Sequence, residues 1–419
     1  MKHFTLFTTA LSVALITQPV YAHDNLESLI KDGKVFGEVR YRYESVDQDG
    51  FTNDADAHTV RTNIGFKTGE YQGFQGLIEG QVVQSLSDDD FNSTTNGNTA
   101  FPIVADPDVT EINELWVSYS ALPDTVVKVG RQKINVDNQR FVGTVGWRQN
   151  DQTFDAGTIT NSSIENLALL YSYVGNVNRI QGGDHPSGDL DSEIHLLNAS
   201  YNFAEWLDAT AYGYWMDFDE SPALSNKTYG VRLNGKVPIN ESWKFVYEAE
   251  AAMQEDHGDN TASYDENYFH VSPGVTGHGF TFKLGYEELG SDGTAAFQTP
   301  LATLHKFNGW ADAFLTTPAT GGLEDFYVSG AYKVSGTGTA FDGTKFKAVY
   351  HDFDSEESVV GDFGDELDLS IGKTFTLPDA GQPFKKVNVV LKYADYDGET
   401  AAGVDADREK FWLQIGTKF

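Results

Sequence analysis

The stretch Asp407-Arg-Glu-Lys-Phe411-Trp-Leu-Gln-Ile415-Gly-Thr-Lys-Phe419 alternates strictly from Phe411 onward. Phe411, Leu413, Ile415, Thr417 and Phe419 fall on one side, and Trp412, Gln414, Gly416 and Lys418 on the other. A period of two is the mark of a β-strand, here with one mostly apolar face. The sequence stops on that strand, so the expectation is that its apolar face is covered from outside the chain, and a lipid bilayer would do this. An edge strand in a soluble sheet carries the same pattern, so the rest of the chain must decide.

At the other end, residues 1–22 combine a basic start (Lys2, His3), an apolar run from Phe4 to Ile16 and a small-residue site at Val20-Tyr21-Ala22. This is the pattern of a cleaved signal peptide, leaving residues 23–419 as one exported domain. The apolar run is shorter than the roughly 20 residues a spanning helix needs, and no later stretch is long enough. A membrane protein with this sequence would therefore cross as strands. With 41 glycines, 20 tyrosines and 28 phenylalanines the chain is rich in turn and strand formers. Its formal charge of −33 argues against nucleic acid as a partner, and the absence of cysteine fits an exported chain that does not rely on disulfides.

Taken in order, the chain repeats one rule. Val35, Val39, Tyr41 and Tyr43 oppose Glu38, Arg40, Arg42 and Glu44; Val60, Ile64 and Phe66 oppose Arg61, Asn63 and Lys67; Phe74, Ile78 and Val82 oppose Gln75, Glu79 and Gln81. Later runs do the same, with Phe280, Phe282, Leu284 and Tyr286 opposite Lys283 and Glu287. Short turns at Pro123-Asp124, Asn161 to Ser163, Glu205, Pro238 to Glu241, Gly277 to Gly279, Gly336 to Gly338 and Pro378 to Pro383 alternate with long polar segments. The count is about eighteen strands, with both termini on the short-turn side. The fold class expected is all-β: a transmembrane antiparallel up-and-down barrel. A propeller or β-helix would show a fixed repeat, and a sandwich would need a second apolar layer. Strict alternation places Arg131 and Lys373 on the lipid face, which calls either for bulges at Gly130 and Gly372 or for a depth near an interface.

The closing strand resembles that of bacterial outer-membrane barrels, although Thr417 stands where an aromatic is more usual. The resemblance becomes specific at Val129 to Ala156, with Gly130-Arg131-Gln132 at a strand end, a loop rich in Asn, Arg and Trp, and then Thr153-Phe154-Asp155. That stretch is similar to the alginate-export family of outer-membrane proteins. So is the stretch from Phe297-Gln298-Thr299-Pro300-Leu301 through Leu304-His305-Lys306-Phe307-Asn308-Gly309-Trp310-Ala311-Asp312. The resemblance implies an eighteen-stranded barrel with a charged lumen in the outer membrane of a Gram-negative cell. Its partners would be the lipid bilayer, lipopolysaccharide and the barrel-assembly machinery. Neither the solute nor the direction of traffic follows from it.

Three groups of residues are candidates for function. Basic residues on the inferred inward faces are Arg40, Arg42, Arg61, Lys67, Lys128, Arg232, Lys236, Lys244, Lys283, Lys333, Lys345, Lys347, Lys392 and Lys410, outnumbering inward acids such as Glu38, Glu79, Glu248, Glu250, Glu287 and Asp368. Rings of such cations select anions. Arg131, Arg140 and Arg148, with Trp147 and Asn150, either bind a uronate, through guanidinium forks and ring stacking, or pin a loop to the wall through Asp137, Asp151 and Asp155. The segment from Leu289 to Gly322, with His305, Lys306 and Trp310, carries too much apolar content for a solvated loop, so it either folds into the lumen as a constriction or packs on the rim.

No hydrolase or phosphate-loop motif and no metal-ligand spacing is present. No enzyme and no cofactor is expected, beyond loose Ca²⁺ binding by acidic outer loops such as Asp88 to Asp90. The functional expectation is an outer-membrane porin for small acidic solutes, uronates or alginate oligosaccharides among them. Export of an acidic polysaccharide is one alternative, and a structural or adhesive barrel is another.

Overall fold

A computed structural model describes residues 26–87, 90–357, 360–378, 384–399 and 406–419. The expected signal peptide, Asp88 and Asp89, and most of the Pro378 to Pro383 turn lie outside the described residues. Strand segments follow in chain order as β1 Lys34–Gln48, β2 Ala55–Lys67, β3 Phe74–Ser85, β4 Val109–Leu122, β5 Thr125–Gln132, β6 Thr153–Asn161, β7 Leu167–Asn178, β8 Asp189–Ala204 and β9 Leu207–Phe218. They continue as β10 Asn226–Pro238, β11 Trp243–Asp256, β12 Asp265–Val271, β13 Gly274–Gly277, β14 Phe280–Leu289, β15 Leu323–Lys333, β16 Lys345–Asp354, β17 Asp362–Thr376, β18 Lys386–Gly398 and β19 Arg408–Lys418.

Each segment pairs antiparallel with its neighbours, and β1 pairs with β19 from Glu38↔Lys418 to Gln48↔Arg408, which closes the sheet. β12 and β13 both lie between β11 and β14, so the two fill one place and the ring has eighteen. The break falls at Ser272-Pro273, where proline has no N–H for the ladder. Closure removes free edges, which a spanning sheet requires in lipid. No helix among the described residues is long and apolar enough to cross a membrane.

The alternation seen in the sequence is the alternation of the wall. Ile64, Val129 and Leu284 are at least half exposed on the outside, whereas Arg42, Glu44 and Trp412 are fully buried inside. The register runs unbroken through Gly130 and through Gly372, so neither is a bulge. Arg131 and Lys373 therefore do face outward. Arg131 is the second-last residue of β5, and its guanidinium forks onto Asp155 of β6 at 2.8 and 2.9 Å. A bidentate pair close to a strand end keeps the charge tolerable on that face.

Two expectations need correction. The connection between β15 and β16 spans residues 334–344 rather than a Gly-Thr-Gly turn, and Asp342 organises it by accepting from the backbone N–H groups of Thr337 and Gly338 at 2.9 and 3.0 Å. The lumen, too, is not charged all round. Val174, Ile194, Leu196, Tyr214 and Met216 point inward from β7, β8 and β9 and join one apolar core with the loops that fill the barrel.

Candidate functional site: two infolded loops and the lysines beneath them

The loop between β5 and β6 (residues 133–152) and the loop between β14 and β15 (residues 290–322) turn into the lumen and lock together. Val142 and Leu301 form a parallel bridge, Gly143 N donates to Leu301 O at 2.9 Å, and Thr303 N donates to Gln139 O at 3.0 Å. Burial of apolar side chains explains the inward turn. Phe297 and Leu301 are wholly buried, with Phe141, Tyr212 and Tyr268 around them, and Phe314 packs against Phe353, Phe363 and Tyr396. Each such side chain is worth about 1.5–3 kcal/mol when removed from water. Among the large apolar side chains of the β14–β15 loop, Leu315 stays about half exposed.

Arginines hold these loops to the wall. Arg40 gives its guanidinium to Gln149 Oε1 and Gly146 O, both at 2.9 Å, and to Arg148 O. Arg42 bonds Gln414 and Trp147 O and pairs with Asp106 at 3.4 Å, and Arg61 bridges Glu38 at 2.8 Å and Asp151 at 3.0 Å. From the loop side, Arg148 reaches Glu44 at 3.0 Å and Asp312 at 3.1 Å, while Arg140 reaches Glu287 at 2.9 Å. Arg232 pairs with Glu248 at 3.0 Å, and Arg408 donates to the carbonyls of Ala311 and Asp312. Asn150 is buried as an acceptor of the Gln81 amide. Burial pushes the Asp151 carboxyl up, but Arg61 and Lys133 outweigh it and hold it at about 2. Burial likewise opposes ionisation of Asp312, yet Lys410, His305 and Arg148 hold it well below the usual carboxylate range.

At the junction of the loops sits Lys392, whose Nζ lies 3.7 Å from the ring centre of Trp310, 4.2 Å from Trp147 and 5.2 Å from Trp412. His305 completes the box, stacked on Trp147 at 4.5 Å. Burial and the neighbouring Lys392 keep this imidazole well below its ordinary pKa. Being neutral, its Nδ1–H donates to Asp312 at 2.8 Å while Nε2 accepts from Lys392 at 2.6 Å. Lys410 pairs with Asp312 at 3.1 Å. Lys306 donates to Asn138 O at 2.7 Å.

The inward basic residues thus divide. Arg40, Arg42, Arg61, Arg232, Lys392 and Lys410 are buried and already engaged by partners on the loops or the wall. Among the described residues, Lys67, Lys128, Lys236, Lys283, Lys333, Lys345 and Lys347 have no carboxylate within 4.0 Å, and each lies within three residues of a short-turn end of its strand. Lys244 pairs with Glu205 in the adjoining turn. Arg131 and Asp155, offered by the sequence as lumen or loop-anchoring groups, lie together on the outer face.

Two cavities open below the loops. One of about 750 Å³ is lined by Lys283, Lys347, Lys306 and Arg232, by Asp137, Glu248, Glu287 and Asp325, and by Trp310 and Phe307. The other, about 600 Å³, has Arg40, Arg61, Lys133, Lys385, Lys386 and Lys418 against only Glu38 and Asp151. Among the described residues no cluster of three or more His, Asp or Glu side chains could hold a metal ion. Sequence reasoning did not single out Lys133, Asp106, Asp312 or Asp325, and it read Glu366 as part of an acidic outer-loop run, Asp362 to Glu366, whereas the residue is buried on the inner face of β17. Asp325 and Glu366 have inward parity on β15 and β17, which was a usable signal, whereas the partners of loop residues depend on loop geometry.

Residues 34–288 match the sequence profile of the alginate export family. No curated protein matches the chain in sequence. Among solved structures, Acinetobacter baumannii OccAB2 superposes with a TM-score of 0.72 at 16% identity, over 94% of this chain and 99% of that one. Pseudomonas aeruginosa OpdQ gives 0.69 at 16%, over 93% and 99%. Pseudomonas aeruginosa OpdK, solved with vanillate, gives 0.70 at 15%, over 93% and 99%. At these identities the likeness is one of fold.

Proposed function

Because the chain belongs to the alginate export family, we propose that it is an outer-membrane channel for small acidic solutes, uronates and their short oligomers among them. The observation that carries this reading is the set of lysines without carboxylate partners on the inward wall of the short-turn half, from Lys67 round to Lys347. Lysine is a mobile, hydrated point charge, suited to passing an anion along rather than fixing it. The 600 Å³ cavity is lined mainly by cations, of which Arg40 is held by the β5–β6 loop, Arg61 by Glu38 and Asp151, Lys133 by Asp151 and Lys418 by Glu38. In the larger one, charges balance, but the rings of Trp310 and Phe307 stand beside Lys306 and Lys347, as a carboxylated sugar would need. Uptake is favoured over polymer export because the two interlocked loops fold into the lumen and occupy part of its cross-section. OpdK, of the same fold, was solved with vanillate, an aromatic carboxylate.

Planar-bilayer conductance tests the proposal. Uronate oligomers added on one side should cause brief, concentration-dependent interruptions of the current, and neutral oligosaccharides of equal length should not. Equal effects of both would refute selectivity for acids, and a barrel that passes no current would favour the structural or adhesive reading.

A further inference from the structure

Arg131 and Lys373 both face outward, and Arg131 is neutralised there by Asp155. Lys373 has no such partner, since among the described residues no carboxylate lies within 4.0 Å of its Nζ, which rests 5.0 Å from the ring centre of Phe375. Asp342 of the β15–β16 turn is near enough to feel its charge, but that carboxylate is taken up by the backbone N–H groups of Thr337 and Gly338. Next to this lysine the outer wall is hollow. Phe282, Gly330, Ala348 and Leu369 stand side by side in register on β14 to β17. The middle two are small, so the row dips between Phe282 and Leu369 into an apolar groove of about 350 Å³. A Cβ at Gly330 would lie 3.6 Å from the Phe282 ring, which is one wall of the groove. The next row toward the short turns, which includes Phe346 and Ile371, makes its rim. Because β16 begins at Lys345, opposite Gly372, Lys373 is the first side chain that β17 turns outward beyond that rim.

We propose that the groove and Lys373 together bind one anionic glycerophospholipid of the periplasmic leaflet, its phosphate at Lys373 Nζ and one acyl chain lying across Gly330 and Ala348. The short-turn end of an outer-membrane barrel is its periplasmic end, and there the leaflet is phospholipid. The spacing suits such a molecule. From Leu369 to Lys373 along β17 is about 13 Å, close to the reach from a lipid phosphate to the middle of its chain. Apolar surface and charge are needed together, because any chain wets a row of rings and a lone lysine draws anionic headgroups without fixing a lipid. A second outer groove, of about 580 Å³ around Ala199, Ala211 and Gly213, lacks the combination. Lys227, opposite its wall residue Trp215, is already paired with Glu255 at 2.7 Å. A second copy of the chain fits the first groove less well, because a twofold contact on this face would set two Lys373 ammoniums at one depth in one interface.

Native mass spectrometry of the purified barrel tests this, with the protein released from micelles that carry equal amounts of dioleoylphosphatidylglycerol and dioleoylphosphatidylcholine. One phosphatidylglycerol per chain should be retained about fivefold more often than phosphatidylcholine, which is what one lysine at an anionic surface is worth. Lys373→Gln should bring that ratio to about one. Ala348→Phe, which fills the groove, should cut retention of both lipids, whereas Ala211→Phe in the second groove should leave the ratio as it is. Equal retention of the two lipids by the wild type, or a wild-type ratio in Lys373→Gln, overturns the proposal. So does a dimer that Ala348→Phe breaks, since the groove would then hold a second copy. Should Ala348→Phe fail to fold, Lys373→Gln still decides, because it changes a side chain on the outer face that holds no other part of the barrel.

Discussion

Arginine and lysine do different work in this lumen, and their chemistry says why. A guanidinium offers five donors in a planar fork and loses little when buried among carbonyls and carboxylates, whereas an ammonium is strongly hydrated and best left in water. Arg148 illustrates the first case, since it is the only cation within 4.0 Å of Glu44 among the described residues. Replacing it with leucine strands a buried carboxylate, and the cost should be about 3–5 kcal/mol, read as lowered thermal stability in detergent. Adding Glu44→Leu should recover most of that loss, and a double mutant no better than the single would deny the pair its pinning role. Asp151 gives a pH test of the same loop. Its pKa falls on folding from 3.8 to about 2, so its contribution of about 2 kcal/mol is full above pH 4 and fades as pH drops toward 2. Asp151→Asn should lose that contribution at pH 7 and unfold less steeply in acid, as followed by tryptophan emission.

At the scale of elements, the strands were legible and the plug only half so. Alternation is a local property, so Phe411 to Phe419, Phe280 to Leu289 and Val35 to Val46 could each be read alone, and their faces stand as read. Alternation also gives a face without giving what covers it. Arg42 shares the inward parity of Lys283 and Lys347, yet it lies under a loop while they face a cavity. That difference depends on contacts such as Arg42 with Gln414, 372 residues away, which no window of sequence contains. The apolar content of residues 290–322 did signal burial, and the choice between lumen and rim was settled by inward apolar positions on β7 to β9 that a charged-lumen reading overlooked. Because this loop fills the lumen, deleting residues 293–319 should raise single-channel conductance severalfold. An unchanged conductance would mean that current runs elsewhere.

For the whole molecule the unequal placement of charge is the governing fact. The chain carries −33 overall, yet its free inward cations gather at the short-turn end of the barrel. Charges on the long loops are separated from that end by most of the length of a strand, and the Debye length at physiological salt is only about 8 Å. They are therefore screened from it, while lysines set in a low-dielectric wall act on a passing ion at short range. The net acidity of the protein then says little about what it conducts, and the pore should prefer anions. Selectivity should follow the lysines and not the arginines. Lys283→Glu reverses a charge with no carboxylate partner on the wall of the larger cavity without touching a loop anchor. That variant should move the reversal potential in a KCl gradient toward cation preference with little change in stability. Arg40→Glu with Arg42→Glu should instead loosen the β5–β6 loop, lowering stability and raising conductance, because those guanidiniums hold Gln149, Gly146 and the carbonyl of Trp147. A wild-type preference for cations, or an unchanged reversal potential in the lysine variant, would remove the lysine wall as the selecting element.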